Sequence, residues 1–222
     1  PNNPSGTVCK NLQEIAEVSK KYKLIILSDE IYSQLTFSDR YRSISNFYPE
    51  RTIVSTGLSK WCGAGGWRLG YFAIPNQLSE LKNSLKILCS ESFTSVSAPI
   101  QYAAVEAYRG DHSAYLNSIK KILLLVGTYV YENLISNTIN VTKPDGGFYL
   151  MPEFTNAKFS SSSKMCKDIL NKTGVALLPG SDFGLNSSKM LARLSYTDFD
   201  GNNFLNNTSG SKKLDDTDLR KY

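Results

Sequence analysis

A lysine, a cluster of glycines and an arginine share one short segment, Ser59-Lys60-Trp61-Cys62-Gly63-Ala64-Gly65-Gly66-Trp67-Arg68. A lysine amine forms a Schiff base with an aldehyde. The arginine, eight residues further on, can grip a phosphate with its planar donors. Three other segments carry groups that such chemistry would use. They are Asp29-Glu30-Ile31-Tyr32, Pro1-Asn2-Asn3-Pro4-Ser5-Gly6 and Leu191-Ala192-Arg193-Leu194-Ser195-Tyr196. Each also has a plainer reading: a glycine-rich loop with a surface lysine, an aspartate capping a helix, a turn, and a snorkelling arginine.

An aldehyde and a phosphate on one molecule describe pyridoxal 5'-phosphate. That cofactor also needs a carboxylate opposite its pyridine nitrogen, so that the ring stays protonated and accepts electrons. Leu24-Ile25-Ile26-Leu27-Ser28 reads as a buried parallel strand. Asp29 therefore falls at the carboxyl end of a strand, where open α/β sheets place their ligands.

Taken in chain order, the four segments resemble the signatures of the pyridoxal-phosphate-dependent aminotransferases of the aspartate aminotransferase superfamily (fold type I, class I/II). Those signatures are Asn-Pro-Thr/Ser-Gly, Asp-Glu-x-Tyr, Ser-Lys…Gly-Trp-Arg-Leu-Gly and Arg-Leu-Ser-Tyr. The resemblance implies that Lys60 is catalytic, holding the cofactor as an aldimine and then moving the substrate Cα proton. It implies Asp29 on the pyridine nitrogen, and Tyr32 and Asn3 on the phenolic oxygen. Arg68 with Ser59 would hold the phosphate, and Arg193 would fork onto the substrate α-carboxylate. Gly57 stands where some relatives carry a serine three residues before the lysine.

The implied reaction is ping-pong transfer of an amino group from an amino acid to a 2-oxo acid, in a homodimer. Two segments, Asp145-Gly146-Gly147-Phe148-Tyr149 and Leu178-Pro179-Gly180-Ser181-Asp182-Phe183-Gly184, resemble stretches that border the substrate in the small domain of such enzymes. Relatives carry roughly half of the large domain ahead of the Asn-Pro motif, so the sequence resembles a C-terminal portion. As such it is expected to bind the cofactor weakly and to be inactive or nearly so by itself. A lyase or synthase on the same fold, and a non-catalytic fragment, stay open. A regulator on this fold is a further alternative, with no DNA-binding motif in the sequence to support it. The side chain of the amino donor is open as well.

The elements that must position these groups read as an α/β chain of the pyridoxal-phosphate-dependent transferase fold. A partial large domain over 1–118 contributes three central strands plus helices. A small α+β domain over 119–201 is entered by a long helix, Ser113 to Leu134. A polar, flexible tail is expected over 202–222. The 222 residues are 41% hydrophobic, enough for a real core. No run of 18 apolar residues occurs, so no membrane partner is expected. Cys9, Cys62, Cys89 and Cys166 show neither disulfide nor metal spacing, which favours a reducing, cytoplasmic setting and no metal. The sole histidine, His112, stands beside Asp111 at a helix start and reads as a surface or capping residue. The net charge of +5 is spread along the chain, so no nucleic-acid stripe is expected.

Overall fold

Helix α1 (Leu12–Lys21) buries Ala16 and Ser19 on one face, and its charges suit the helix dipole, with Glu14 in the first turn and Lys20 and Lys21 in the last. Ala16 packs with Ile44 and Tyr48, backed by Leu12, Ile26 and Phe47. A computed structural model describes residues 1–38, 41–201 and 203–204 of the chain. Strand β1 (Ile26–Asp29) runs parallel to β2 (Thr52–Gly57), with Asp29 opposite Ser55. Strand β3 (Gly70–Ala73) pairs antiparallel with β2, giving the order β1-β2-β3.

Strand β1 is parallel, as expected, but it is not buried. It lies at the edge of the three strands. Ile26 turns toward the α1 core, while Leu27, on the opposite face, is 64% exposed. Helices α2 (Ser79–Ser92) and α3 (Ala98–Arg109) follow, and then the long α4 (Ser113–Leu134). Asp111 Oδ1 accepts from the Ser113 N–H at the start of α4. His112 lies with its ring 5.8 Å from that of Trp61.

The chain folds as two compact units, one of Cys9–Leu116 and one of Pro1–Val8 with the residues from Asn117 onward. The division falls within α4, two residues before the boundary read from the sequence. The first eight residues belong to the second unit because residues 145 and 146 hold them. Gly6 O accepts from the N–H groups of Asp145 (2.9 Å) and Gly146 (3.1 Å). Val8 N–H donates to Asp145 Oδ2 at 3.0 Å.

The second unit adds short strands: β4 (Ile139–Asn140), β5 (Tyr149–Leu150) and β6 (Glu153–Phe154). Helix α5 (Ser162–Thr173) is capped by the Ser161 hydroxyl, which accepts from Lys164 N–H. Strands β7 (Leu178–Pro179) and β8 (Ala192–Ser195) complete the unit. Strand β4 pairs antiparallel with β6, and β5-β8-β7 form an antiparallel trio. Met165 and Cys166 of α5 pack against Met190 and Ala192. Of the segment read as a flexible tail, Asn203 and Phe204 are described. Both are helical, and Phe204 is buried with its ring 6.0 Å from Phe199. The rest of that segment lies outside the described residues.

Candidate active site in two parts

Parallel pairing brings two sequence-distant groups to one edge. Strands β1 and β2 point the same way, so Asp29 at the end of β1 and the loop after Gly57 leave the sheet from neighbouring carboxyl ends. Lys60 sits in the turn that follows β2. Tyr32 is buried just beyond β1, and Lys60 Nζ lies 5.7 Å from the centre of its ring. Asp29 is exposed, and one of its carboxylate oxygens accepts from Ile31 N–H at 3.3 Å.

The loop from Leu58 to Leu69 is closed at its base by Leu58 N–H donating to Leu69 O at 3.2 Å, and Ala64 N–H reaches back to Leu58 O at 3.3 Å. Leu58 and Trp61 are buried, whereas Ser59 and Lys60 are half-buried. Trp61 anchors the loop, its ring 5.9 Å from Tyr108 of α3. Gly57 is required where β2 passes β3, since a Cβ there would lie 2.6 Å from Leu69 O. Arg68 is exposed in the left-handed region (φ 53°, ψ 44°), and its Nη1 donates to Gly65 O at 2.8 Å. The arginine thus lies against its own glycine turn.

Glu30 has a role the sequence did not disclose. Its carboxylate accepts from the hydroxyls of Ser28 (3.0 Å) and Ser43 (2.5 Å). It also raises the pKa of Tyr41 by charge and hydrogen bonding, second to the effect of burial. The residue after Asp29 is therefore tied to the chain around residue 43, which steadies the turn between β1 and Tyr32. The Asp-Glu pair marked the spot in the sequence, but the serines lacked a readable signal.

In the other unit, Arg193 of β8 and Asn3 meet. Arg193 Nη1 donates to Asn3 Oδ1 at 2.7 Å, joining residues 190 positions apart. Gly6 makes this approach possible. Its φ is +70°, and a Cβ would lie 2.5 Å from Tyr149 O. With Oδ1 occupied, the Asn3 side-chain nitrogen remains to donate elsewhere. The guanidinium carbon of Arg193 is 4.4 Å from the ring centre of Tyr149 and 5.1 Å from that of Phe183.

The structure therefore places Asp29, Tyr32, Ser59, Lys60 and Arg68 in one unit and Asn3 with Arg193 in the other. Among the described residues no group of three His, Cys, Asp or Glu could hold a metal ion. Among them, too, no helix is long and apolar enough to cross a membrane.

Comparison with known proteins shows the family. The family "Aminotransferase class I and II" matches residues 1–203, and the chain belongs to it. A probable N-acetyl-LL-diaminopimelate aminotransferase of Bacillus subtilis is 35% identical over 82% of this chain and 46% of its own length. An aspartate aminotransferase of Bacillus sp. strain YM-2 is 33% identical over 88% of this chain and 51% of its own. Among solved structures, an alanine aminotransferase from Pyrococcus furiosus superposes with a TM-score of 0.80 at 32% identity, over 88% of this chain and 51% of its own. These structures have the α/β fold of pyridoxal-phosphate-dependent aminotransferases. The chain spans about half the length of the curated relatives it matches.

Proposed function

We propose that this chain carries the lysine and carboxylate-binding residues of an aminotransferase that moves an amino group from an amino acid to a 2-oxo acid. The observation that carries the reading is the convergence of Lys60, Asp29 and Tyr32 at the carboxyl edge of β1 and β2, with the Lys60 amine 5.7 Å from the Tyr32 ring centre.

The donor set fits pyridoxal phosphate. One unit offers an amine for the aldehyde, a carboxylate for the pyridine nitrogen, a phenol for the phenolic oxygen, and a hydroxyl and guanidinium for the phosphate. When bound, the cofactor supplies an electron sink that acidifies the substrate Cα proton. Lys60 is the group that would hold the aldehyde carbon and, as a free amine, would move the Cα proton. The Asp29 carboxylate would face the pyridine nitrogen and favour its protonated form. Tyr32 would donate to the phenolic oxygen, a role that the family resemblance also gives to Asn3. Arg68 and Ser59 would hold the phosphate, and Arg193 would fork onto the α-carboxylate.

The relatives are named for aspartate, alanine and N-acetyl-LL-diaminopimelate. The α-carboxylate is what their amino-acid donors share, and Arg193 is the residue here suited to it. The reading includes a homodimer working in the cytoplasm.

The test is transfer from a panel of amino acids to 2-oxoglutarate by the complete enzyme, with products identified. Formation of glutamate and the matching 2-oxo acid, abolished by Lys60→Ala, supports the reading. Release of ammonia or of a side-chain fragment instead would assign a lyase.

A further inference from the structure

Arg193 is flanked by two aromatic rings. Its guanidinium carbon lies 4.4 Å from the centre of Tyr149 and 5.1 Å from that of Phe183. Both distances fall within the reach, about 6 Å, at which a ring face attracts a cation. Tyr149 is buried, and Phe183 and Arg193 are half-buried. Arg193 Nη1 is taken by Asn3, and its Nε is buried without a hydrogen-bond partner.

The two rings sit on elements bonded to the strand that carries the arginine or to its lead-in. Tyr149 lies in β5 opposite Ser195 of β8. Phe183 ends the short 3₁₀ turn Gly180–Phe183, and Gly180 N–H donates to Leu191 O at 2.7 Å. The rings therefore keep a fixed place relative to the Arg193 backbone. They limit the torsions of a long side chain that in water would sample many orientations.

We propose that Tyr149 and Phe183 are positioning residues that hold the Arg193 guanidinium in register for a planar carboxylate, and so set the preference for amino acids over their carboxylate-free analogues. This rests on the reading of Arg193 as the carboxylate receptor. A receptor held in place loses little freedom when the carboxylate docks, so the gain appears in binding. The rings contribute nothing to the proton transfer, which belongs to Lys60.

The experiment uses the complete enzyme loaded with pyridoxal phosphate. Calorimetry gives Kd for L-aspartate, L-alanine and L-phenylalanine in parallel, each against its α-amide, alongside kcat and KM. Phe183→Leu removes one ring, and Phe183→Tyr keeps it. Arg193→Lys tests the receptor itself. For Phe183→Leu, Kd and KM of the best-bound acid should rise about tenfold, in the range of a partly buried cation–ring contact. The loss should fall on KM more than on kcat, the amide should bind as before, and Phe183→Tyr should restore the acid. Tyr149→Leu should act in the same direction where it folds, and Phe183→Leu decides the matter where it does not. An unchanged ratio of acid to amide affinity in Phe183→Leu, or an equal loss for both, overturns the proposal. If Arg193→Lys also leaves that ratio unchanged, the receptor reading has failed. If only Arg193→Lys abolishes the discrimination, the receptor stands and the role of the rings does not.

Discussion

The loop that carries Lys60 and the strand that carries Arg193 are held in different ways. The lysine loop is fastened largely from within: Leu58 to Leu69, Ala64 to Leu58, and Arg68 to Gly65, with Trp61 as its anchor to α3. Arg193 is braced from afar, by Asn3, Tyr149 and Phe183, residues 190, 44 and 10 positions away. On the proposed reading, the lysine that would change partners during turnover sits in a turn bonded mostly to itself. The arginine that would only recognise sits among rings and a bonded amide. Chemistry and recognition would then place different demands on the backbone.

Breaking the lysine side should cost the most. In the complete enzyme Lys60→Ala should lower kcat by about four orders of magnitude or more, since it removes both the nucleophile and the general base. Retention of full turnover would refute the assignment. Asp29→Ala should come next, slowing Cα proton removal by roughly two to three orders of magnitude, equivalent to about 3–4 kcal/mol of barrier. A deuterated substrate checks this, because the isotope effect on kcat should grow as that step becomes limiting.

The arginine side should respond in stability before chemistry. Gly6→Ala forces a side chain into a positive φ and against Tyr149 O. It should cost roughly 1–3 kcal/mol in denaturant unfolding and loosen Asn3 from Arg193. An unchanged midpoint would show that the N-terminal segment is not tied as described. The smallest effect expected is that of Tyr196→Phe. The Tyr196 hydroxyl donates to Gly147 O at 3.0 Å, and burial raises its pKa. Its removal should cost about 1 kcal/mol, with kcat unaltered.

The same contrast explains what could be read from the sequence. That Asp29 and Tyr32 follow a parallel strand was legible in the apolar run ahead of them, and Lys60 stood out by its glycine-rich segment. Helix α4 was legible to the residue, Ser113 to Leu134, because its apolar residues recur over six turns. Strand β6, two residues long and without alternation, gives no readable signal. Strand β7 is as short, with Val175 and Ala176 ahead of it exposed. The segments holding Tyr149 and Phe183 were visible as turn-rich stretches, but their contact with Arg193 depends on the β5-β8-β7 pairing. The membership of residues 1–8 in the second unit gives no local signal at all.

That last feature has a temporal side. The partners of Asn3 and Gly6 lie 190 and about 140 residues downstream. At a synthesis rate of about 5–20 residues per second, Asn3 waits roughly 10–40 s before Arg193 has been made. The residues of 9–116, by contrast, can begin to pair as they leave the ribosome. During that interval the Asn-Pro-Ser-Gly turn can make its own short-range bonds, Gly6 N–H to Asn2 O among them, but not the one to Arg193. The corner that would recognise the substrate is begun among the earliest residues of this stretch and closed among the last.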